Sequence, residues 1–187
     1  MERTAGAVLT GGASRRMGRT KALVPYRGEP LAARVAAALR DGGCDPVALV
    51  GGDPEELAVL GRPVLPDRWP GEGPLGGVLS ALGLPGDADT VLIAACDLAS
   101  LTGDTVRRII EAPSGAAVVV AFGARRHPTL GRWRRDVGQH LEAIFAGGER
   151  SLMGALEALT EHGIDVMDVA VEEQQLENIN APDDLAC

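Results

Sequence analysis

The sequence predicts an α/β domain built on a mostly parallel central sheet, on three observations. Short apolar, β-branched runs recur along the chain; stretches with helical spacing separate them; and no linker or internal repeat breaks the series. At 187 residues the chain suits one domain, residues 1–187, and needs no disulfide or metal staple to bury a core. Hydrophobic residues at 45% and charged residues at 24% are ordinary for a globular protein.

The elements follow in order. Ala7–Leu9, Val47–Val50, Val91–Ala94 and Ala117–Val120 are continuous apolar runs, the pattern of strands buried on both faces. Between the first two, Leu31, Val35 and Leu39 repeat at helical spacing from Pro30 to Asp41, with Pro30 at the start and Gly42-Gly43 at the end. Leu75–Leu82 and Thr102–Glu111 read as further helices. Ser151 is placed to cap a helix carrying Leu152, Leu156 and Leu159 and stopped by Gly163.

Composition excludes several function classes. A net charge of −8 disfavours a sequence-independent grip on nucleic acid, although a local site for a small anion remains compatible with it. No apolar run approaches the ~18–20 residues of a membrane span. The start, Met1-Glu2-Arg3-Thr4, lacks the basic head and longer apolar core of a signal peptide. Cys44, Cys96 and Cys187 are odd in number and far apart, which fits small thiols in a reducing cytoplasm and not a zinc site or disulfide framework.

Parallel sheets place ligands at the carboxyl ends of their strands, so three loops matter. The first, from Leu9 and Thr10 to Lys21, holds Gly11 and Gly12, whose backbone can approach phosphate, and Arg15, Arg16, Arg19 and Lys21 within seven residues. It is neither GxGxxG nor a Walker A loop. Lys21 is the only lysine in the chain. The second loop, Pro66–Pro74, leads into Gly76 and Gly77, and its Pro and Gly content suits a shaped loop over a ligand or an ordinary connector. The third begins at Asp97, directly after an apolar strand. A carboxylate there is a good Mg²⁺ ligand and equally a helix cap. Asn178 and Asn180, two positions apart, could reach a metal or phosphate from one side of an extended segment, while Asn180 could instead cap the turn that follows. His127, one of three histidines, follows Arg125-Arg126. A single histidine is more often a structural hydrogen-bonding group than a catalyst, and no Ser-His-Asp, His-x-x-x-His or Cys-His set can be assembled.

These residues resemble a known family. Leu9, Gly11, Gly12, Ser14, Arg16, Met17, Gly18 and Lys21 match a nucleotidyltransferase signature. Gly73–Gly77, Cys96-Asp97, His127–Thr129, Gly148–Arg150 and Asn178–Pro182 follow in the order and spacing of the molybdenum cofactor guanylyltransferase (MobA) family, from about Gly6 to Leu185. The resemblance implies a Rossmann-like three-layer sandwich that joins GMP from GTP to molybdopterin, with or without bound Mo, and releases pyrophosphate. It implies that Leu9, Thr10, Gly11 and Gly12 line the nucleotide, that Lys21 meets the phosphates, that Asp67 lies near the nucleoside and that Asp97 holds Mg²⁺. Arg16 joins Lys21 and Asp97 as catalytic groups. Gly76, Gly77, His127, Arg150, Asn178 and Asn180 fall on the side that receives molybdopterin or the metal. Other cofactor-assembly proteins and apo-molybdoenzymes are the implied transient partners, with no nucleic acid or membrane.

The Gly11-Gly12 pair is more similar to guanine-using members than to their cytidylyltransferase relatives. A CTP-dependent enzyme, another small NTP transferase and a catalytically silent nucleotide-binding protein are the competing readings. Three residues depart from the family pattern: Thr20 stands where an acidic residue is frequent, Ala99 where a proline is common, and Val50 where a polar residue often ends the second strand. Nucleotidyl transfer to a phosphate needs no strong general base, because the nucleophile is already ionised at neutral pH.

Overall fold

The structure is a computed structural model and describes residues 2–11, 20–113 and 115–179. The chain begins with β1 (Thr4–Leu9), the hairpin β2 (Pro25–Tyr26) and β3 (Glu29–Pro30), α1 (Leu31–Asp41), β4 (Val47–Val50), α2 (Pro54–Leu57), β5 (Val64–Leu65) and α3 (Pro74–Leu82). It continues through β6 (Thr90–Ala95), α4 (Gly103–Ile110), β7 (Val118–Phe122), β8 (Arg126–Arg134), α5 (Gly138–Ala146), α6 (Leu152–Glu161) and β9 (Val166–Ala170). Seven strands form one sheet in the order β5-β4-β1-β6-β8-β7-β9. β8 runs antiparallel to both neighbours, and every other pairing in that sheet is parallel.

Each apolar run forms the strand its composition predicts, because both faces are covered. Leu39, Val106 and Ile109, from α1 and α4, pack with Leu49 and Leu92 on one side. Leu75, Leu79, Leu141 and Leu156, from α3, α5 and α6, pack with Ile93, Val120 and Trp133 on the other. The result is the expected three-layer sandwich. Each fully buried leucine or isoleucine contributes about 1.5–3 kcal/mol relative to exposure. Helix ends also follow the sequence: the Ser151 hydroxyl accepts from the Gly154 N–H at 3.0 Å, and Thr102 caps α4 through the Thr105 N–H.

The sequence pattern gives no sign of β8. Arg126, His127, Pro128, Gly131, Arg132 and Arg134 interrupt any apolar run, yet Leu130–Trp133 are buried. Arg132 is 2% exposed and survives there because its guanidinium donates to the carbonyls of Ile110 (2.7 Å), Ala112 (3.3 Å) and Ala116 (3.5 Å), where α4 ends. Trp133 fills the opposite face. The sheet is therefore mostly parallel with one inverted strand, which brings the start of β8 to the carboxyl end of β6: Ala94 pairs with Leu130, and residues 126–129 reach beyond it.

Candidate functional site

The carboxyl ends of β5, β4, β1 and β6 lie side by side, so the three loops picked out by sequence converge. Thr10 and Gly11 leave β1 against the end of β4. The Val50 carbonyl accepts from the Thr10 N–H at 2.8 Å and the Gly11 N–H at 3.2 Å, and the Thr10 hydroxyl donates to the Gly51 carbonyl at 2.6 Å. The Gly11 N–H is thus turned toward β4. What Gly11 provides is closeness. Across from it Gly51 has φ +78°, and a Cβ there would stand 2.9 Å from Gly11 Cα, so two bare backbones meet. Leu9, half-buried, packs beneath Gly77 on α3.

The second loop is fastened at both ends. Asp67 Oδ1 accepts from the Trp69 N–H and from the Ser80 hydroxyl, each at 3.0 Å. At the far end Glu72 accepts from Arg150 Nε at 2.7 Å. Arg150 also donates to the carbonyls of Phe145 (2.7 Å) and Glu149 (2.9 Å), and its guanidinium lies 3.9 Å from the centre of the Phe145 ring. Gly76 is buried where a Cβ would meet Trp69 Cβ at 3.0 Å, so its missing side chain serves packing of the loop on α3. Ser80 escapes sequence analysis, but its signal is a lone hydroxyl in an otherwise apolar helix.

Lys21 and Asp97, both singled out by sequence, meet directly. Lys21 Nζ lies 2.7 Å from Asp97 Oδ2, with side-chain exposures of 19% and 16%. Lys21 opens a 3₁₀ turn whose next residue, Ala22, is fully buried, and the β2–β3 hairpin follows. Tyr26 of that hairpin, with Val24 before it and Leu31 after it, packs on Ala99 with Ile179, so Ala99 serves here as a small core residue. Thr20, the other departure near the lysine, donates its hydroxyl to the Glu56 carboxylate of α2. Asp97 does not cap α4, since Thr102 does.

The donor set suits a hard cation. Asp97 Oδ1 is buried without a hydrogen-bond partner among the described residues. Among those residues no group of three or more His, Cys, Asp or Glu could hold a metal, so an ion here would need oxygens from the nucleotide as well. Burial pushes the neighbouring Cys96 thiol up to about 12, as it does Cys44, which leaves both as packing groups and not nucleophiles.

Of the acceptor-side residues, His127 and Asn178 come together at the start of β8. His127 and Asn178 line one cavity of about 350 Å³ with Arg125, Arg126, Pro128, Thr129 and Met153. The Ile179 N–H donates to the Asp97 carbonyl at 3.0 Å, tying the segment that carries Asn178 to the end of β6. Burial pulls the His127 imidazole below its ordinary value, and its Nε2 is buried with no hydrogen-bond partner among the described residues. Met153, absent from the sequence analysis, is 39% exposed and adds an apolar wall. Arg150 does not line this cavity; it buttresses the second loop. Gly12, Arg16 and Asn180 lie outside the described residues.

Comparison with known proteins agrees with this geometry. Residues 6–163 match the MobA-like NTP transferase domain. A molybdenum cofactor guanylyltransferase from Cereibacter sphaeroides is 39% identical over 184 residues, covering 97% of this chain and 93% of that one. One from Rhodobacter capsulatus is 38% identical over 190 residues, covering 98% and 94%. Among solved structures, molybdopterin-guanine dinucleotide biosynthesis protein A from Archaeoglobus fulgidus shares the fold with a TM-score of 0.76 at 23% identity, covering 97% of this chain and 95% of that one. A nucleotidyl transferase from Methanothermobacter gives 0.79 at 22% identity, with 97% and 94% covered.

Proposed function

This chain belongs to the MobA-like NTP transferase family, and on that premise we propose that it transfers GMP from GTP to molybdopterin, forming the guanine dinucleotide and pyrophosphate. It is a nucleotidyltransferase. A phosphate oxygen of molybdopterin forms a bond to the α-phosphorus of GTP. The bond from that phosphorus to the bridging oxygen breaks, and the electron pair leaves on pyrophosphate.

The observation that carries this proposal is the Lys21–Asp97 pair at 2.7 Å, set at the strand ends beside the Gly11–Gly51 approach. The transfer concentrates negative charge, and the ammonium of Lys21 is a compact point charge that can neutralise it among phosphate oxygens. Asp97 Oδ1, with Asn178, which the Ile179–Asp97 backbone bond brings to the end of β6, and with Asn180, would hold Mg²⁺. When bound with the nucleotide phosphates, that ion supplies Lewis-acid neutralisation. Thr10, Gly11 and Gly12 let the nucleotide sit close to the backbone, Asp67 faces the nucleoside, and Arg16 adds a cation. The cavity of His127 and Asn178 takes the acceptor, while Gly76, Gly77 and Arg150 shape the second loop that completes the molybdopterin side. The one nucleotidyltransferase domain, 1–187, works in the cytoplasm, where the thiols of Cys44 and Cys96 stay free. Its product passes to assembly proteins and apo-molybdoenzymes. Among the described residues no helix is long and apolar enough to cross a membrane.

Thermal melting with GTP, CTP or ATP plus Mg²⁺, followed by pyrophosphate release with molybdopterin, tests the assignment. GTP at a hundred times its dissociation constant adds about 2.7 kcal/mol to the folded state. A CTP shift equal to or larger than the GTP shift overturns the guanine assignment.

A further inference from the structure

We propose that Ser80 is a positioning residue for Asp67, and that the pair presents one carboxylate oxygen to a ribose hydroxyl of the nucleotide. This rests on the nucleotide-transfer function above but not on the identity of the base.

Asp67 Oδ1 is consumed by the fold, accepting from the Ser80 hydroxyl and the Trp69 N–H. Ser80 is fully buried, accepts the Arg68 N–H at 3.0 Å, and has the Gly76 carbonyl at 3.0 Å as a rival acceptor. Its single hydroxyl hydrogen can serve only one, and the ionised carboxylate is the stronger acceptor. The hydroxyl therefore holds the side chain of Asp67 in one rotation.

The second oxygen is held back for something else. Asp67 Oδ2 makes no hydrogen bond among the described residues and stands 3.8 Å from the point where a Gly11 Cβ would lie. Asp67 Cβ is 3.5 Å from the corresponding point at Gly51. The carboxylate thus hangs over the place where β1 and β4 end. In doubly wound sheets an acidic residue at the end of the strand beside the first takes the ribose hydroxyls. Here that strand is β4, and its end, Val50-Gly51-Gly52, has no carboxylate; Val50 is 2% exposed. The next strand outward, β5, supplies the acid at the same spot, and Ser80 aims it.

Calorimetric titration of wild type, Ser80→Ala, Ser80→Cys, Asp67→Ala and Ser80→Ala/Asp67→Ala with GTP, 2′-deoxy-GTP and 3′-deoxy-GTP tests the pair. Wild type should prefer GTP to one of the deoxy nucleotides by about tenfold, the size of one hydrogen bond to a charged group. Ser80→Ala and Asp67→Ala should each erase most of that preference, weakening GTP by about tenfold more than that deoxy nucleotide. The double variant should bind GTP no worse than Asp67→Ala, because the two residues act through one contact. Ser80→Cys keeps the volume with a weaker donor and should fall between, which decides the case if Ser80→Ala does not fold. Equal weakening of all three nucleotides by either Ser80 variant, or additive losses in the double, overturns the positioning role. Loss of GTP-over-ITP discrimination in Asp67→Ala, with ribose preference intact, overturns the ribose contact in favour of the base. If CTP binds more tightly than GTP and shows the same hydroxyl preference, the guanylyl assignment fails and this inference stands.

Discussion

Lys21 Nζ and Asp97 Oδ2 are 2.7 Å apart, so the cation that we propose for phosphate and the carboxylate that we propose for metal hold each other. Both side chains are largely shielded from water, where an ion pair is neither screened by salt nor easily broken at one end. The pair keeps two costly charges together.

Replacing Lys21 therefore has two separable effects. Lys21→Arg should lower kcat/KM roughly tenfold to a hundredfold, about 1.4–2.7 kcal/mol, because a planar guanidinium cannot take the position of a point charge. Lys21→Ala should cost more in turnover. It should also raise the affinity for Mn²⁺ without nucleotide, since Asp97 Oδ2 no longer binds an ammonium. Steady-state kinetics and metal titration measure these, and wild-type kinetics in Lys21→Arg would reduce its task to diffuse charge.

Asp97→Asn should keep the fold and lose most metal-dependent turnover. The amide has the same shape and one acceptor oxygen but no charge to attract a cation. Circular dichroism and pyrophosphate release against metal concentration decide it. Unchanged activity at limiting Mg²⁺ would remove Asp97 from the metal site.

The strands from Ala7, Val47, Val91 and Val118 were legible because burial on two faces writes an unbroken apolar run. β8 was not, because Arg132 is paid for by three carbonyls that only the folded chain brings near it. The same divide runs through the site. Asp97 follows β6 closely and Lys21 closes the loop that leaves β1, so position in sequence marks them. Ser80 is one hydroxyl among the apolar residues of α3, and its partner Asp67 is thirteen residues away, a pairing that no local spacing encodes.

His127 should titrate below 6.5, since burial disfavours its charged form. The folded pKa is depressed, so the unfolded chain takes up a proton first as the pH falls. Stability from this group is complete above about 6.5 and is lost as the pH falls below that value, toward the folded pKa. A histidine NMR titration locates the midpoint, and denaturant melts at several pH values should show a shallower acid decline in His127→Gln. A His127 midpoint above 6.5 in the free protein would contradict the buried imidazole.

Arg132→Met should destabilise the fold without touching the strand-end site. It leaves the carbonyls of Ile110, Ala112 and Ala116 without their buried donor. The loss should be about 2–4 kcal/mol, seen as a melting point lower by roughly 5–15 °C. GTP affinity at a temperature where the variant is folded should match wild type. A coupled loss of affinity would show that β8 transmits to the nucleotide loops.

Arg150 separates two roles, buttress and acceptor contact. Its Nε is bonded to Glu72 and one terminal nitrogen to two carbonyls, while the guanidinium lies on Phe145. The backbone joins in, because the Leu75 N–H donates to the Arg150 carbonyl at 3.3 Å and Gly73 packs against the same oxygen. The side chain thus fixes the second loop, which also carries Asp67. Arg150→Ala should therefore raise the KM for GTP as well as for molybdopterin, with a lower melting point. Arg150→Lys should recover little, because a lysine keeps the charge but cannot reproduce the fork or the stacking. Glu72→Gln should give a milder copy of the same pattern, since it weakens one arm of the clamp and leaves the two carbonyl bonds. If Arg150→Ala raises only the KM for molybdopterin, at unchanged stability, the arginine is an acceptor ligand that happens to rest on the loop.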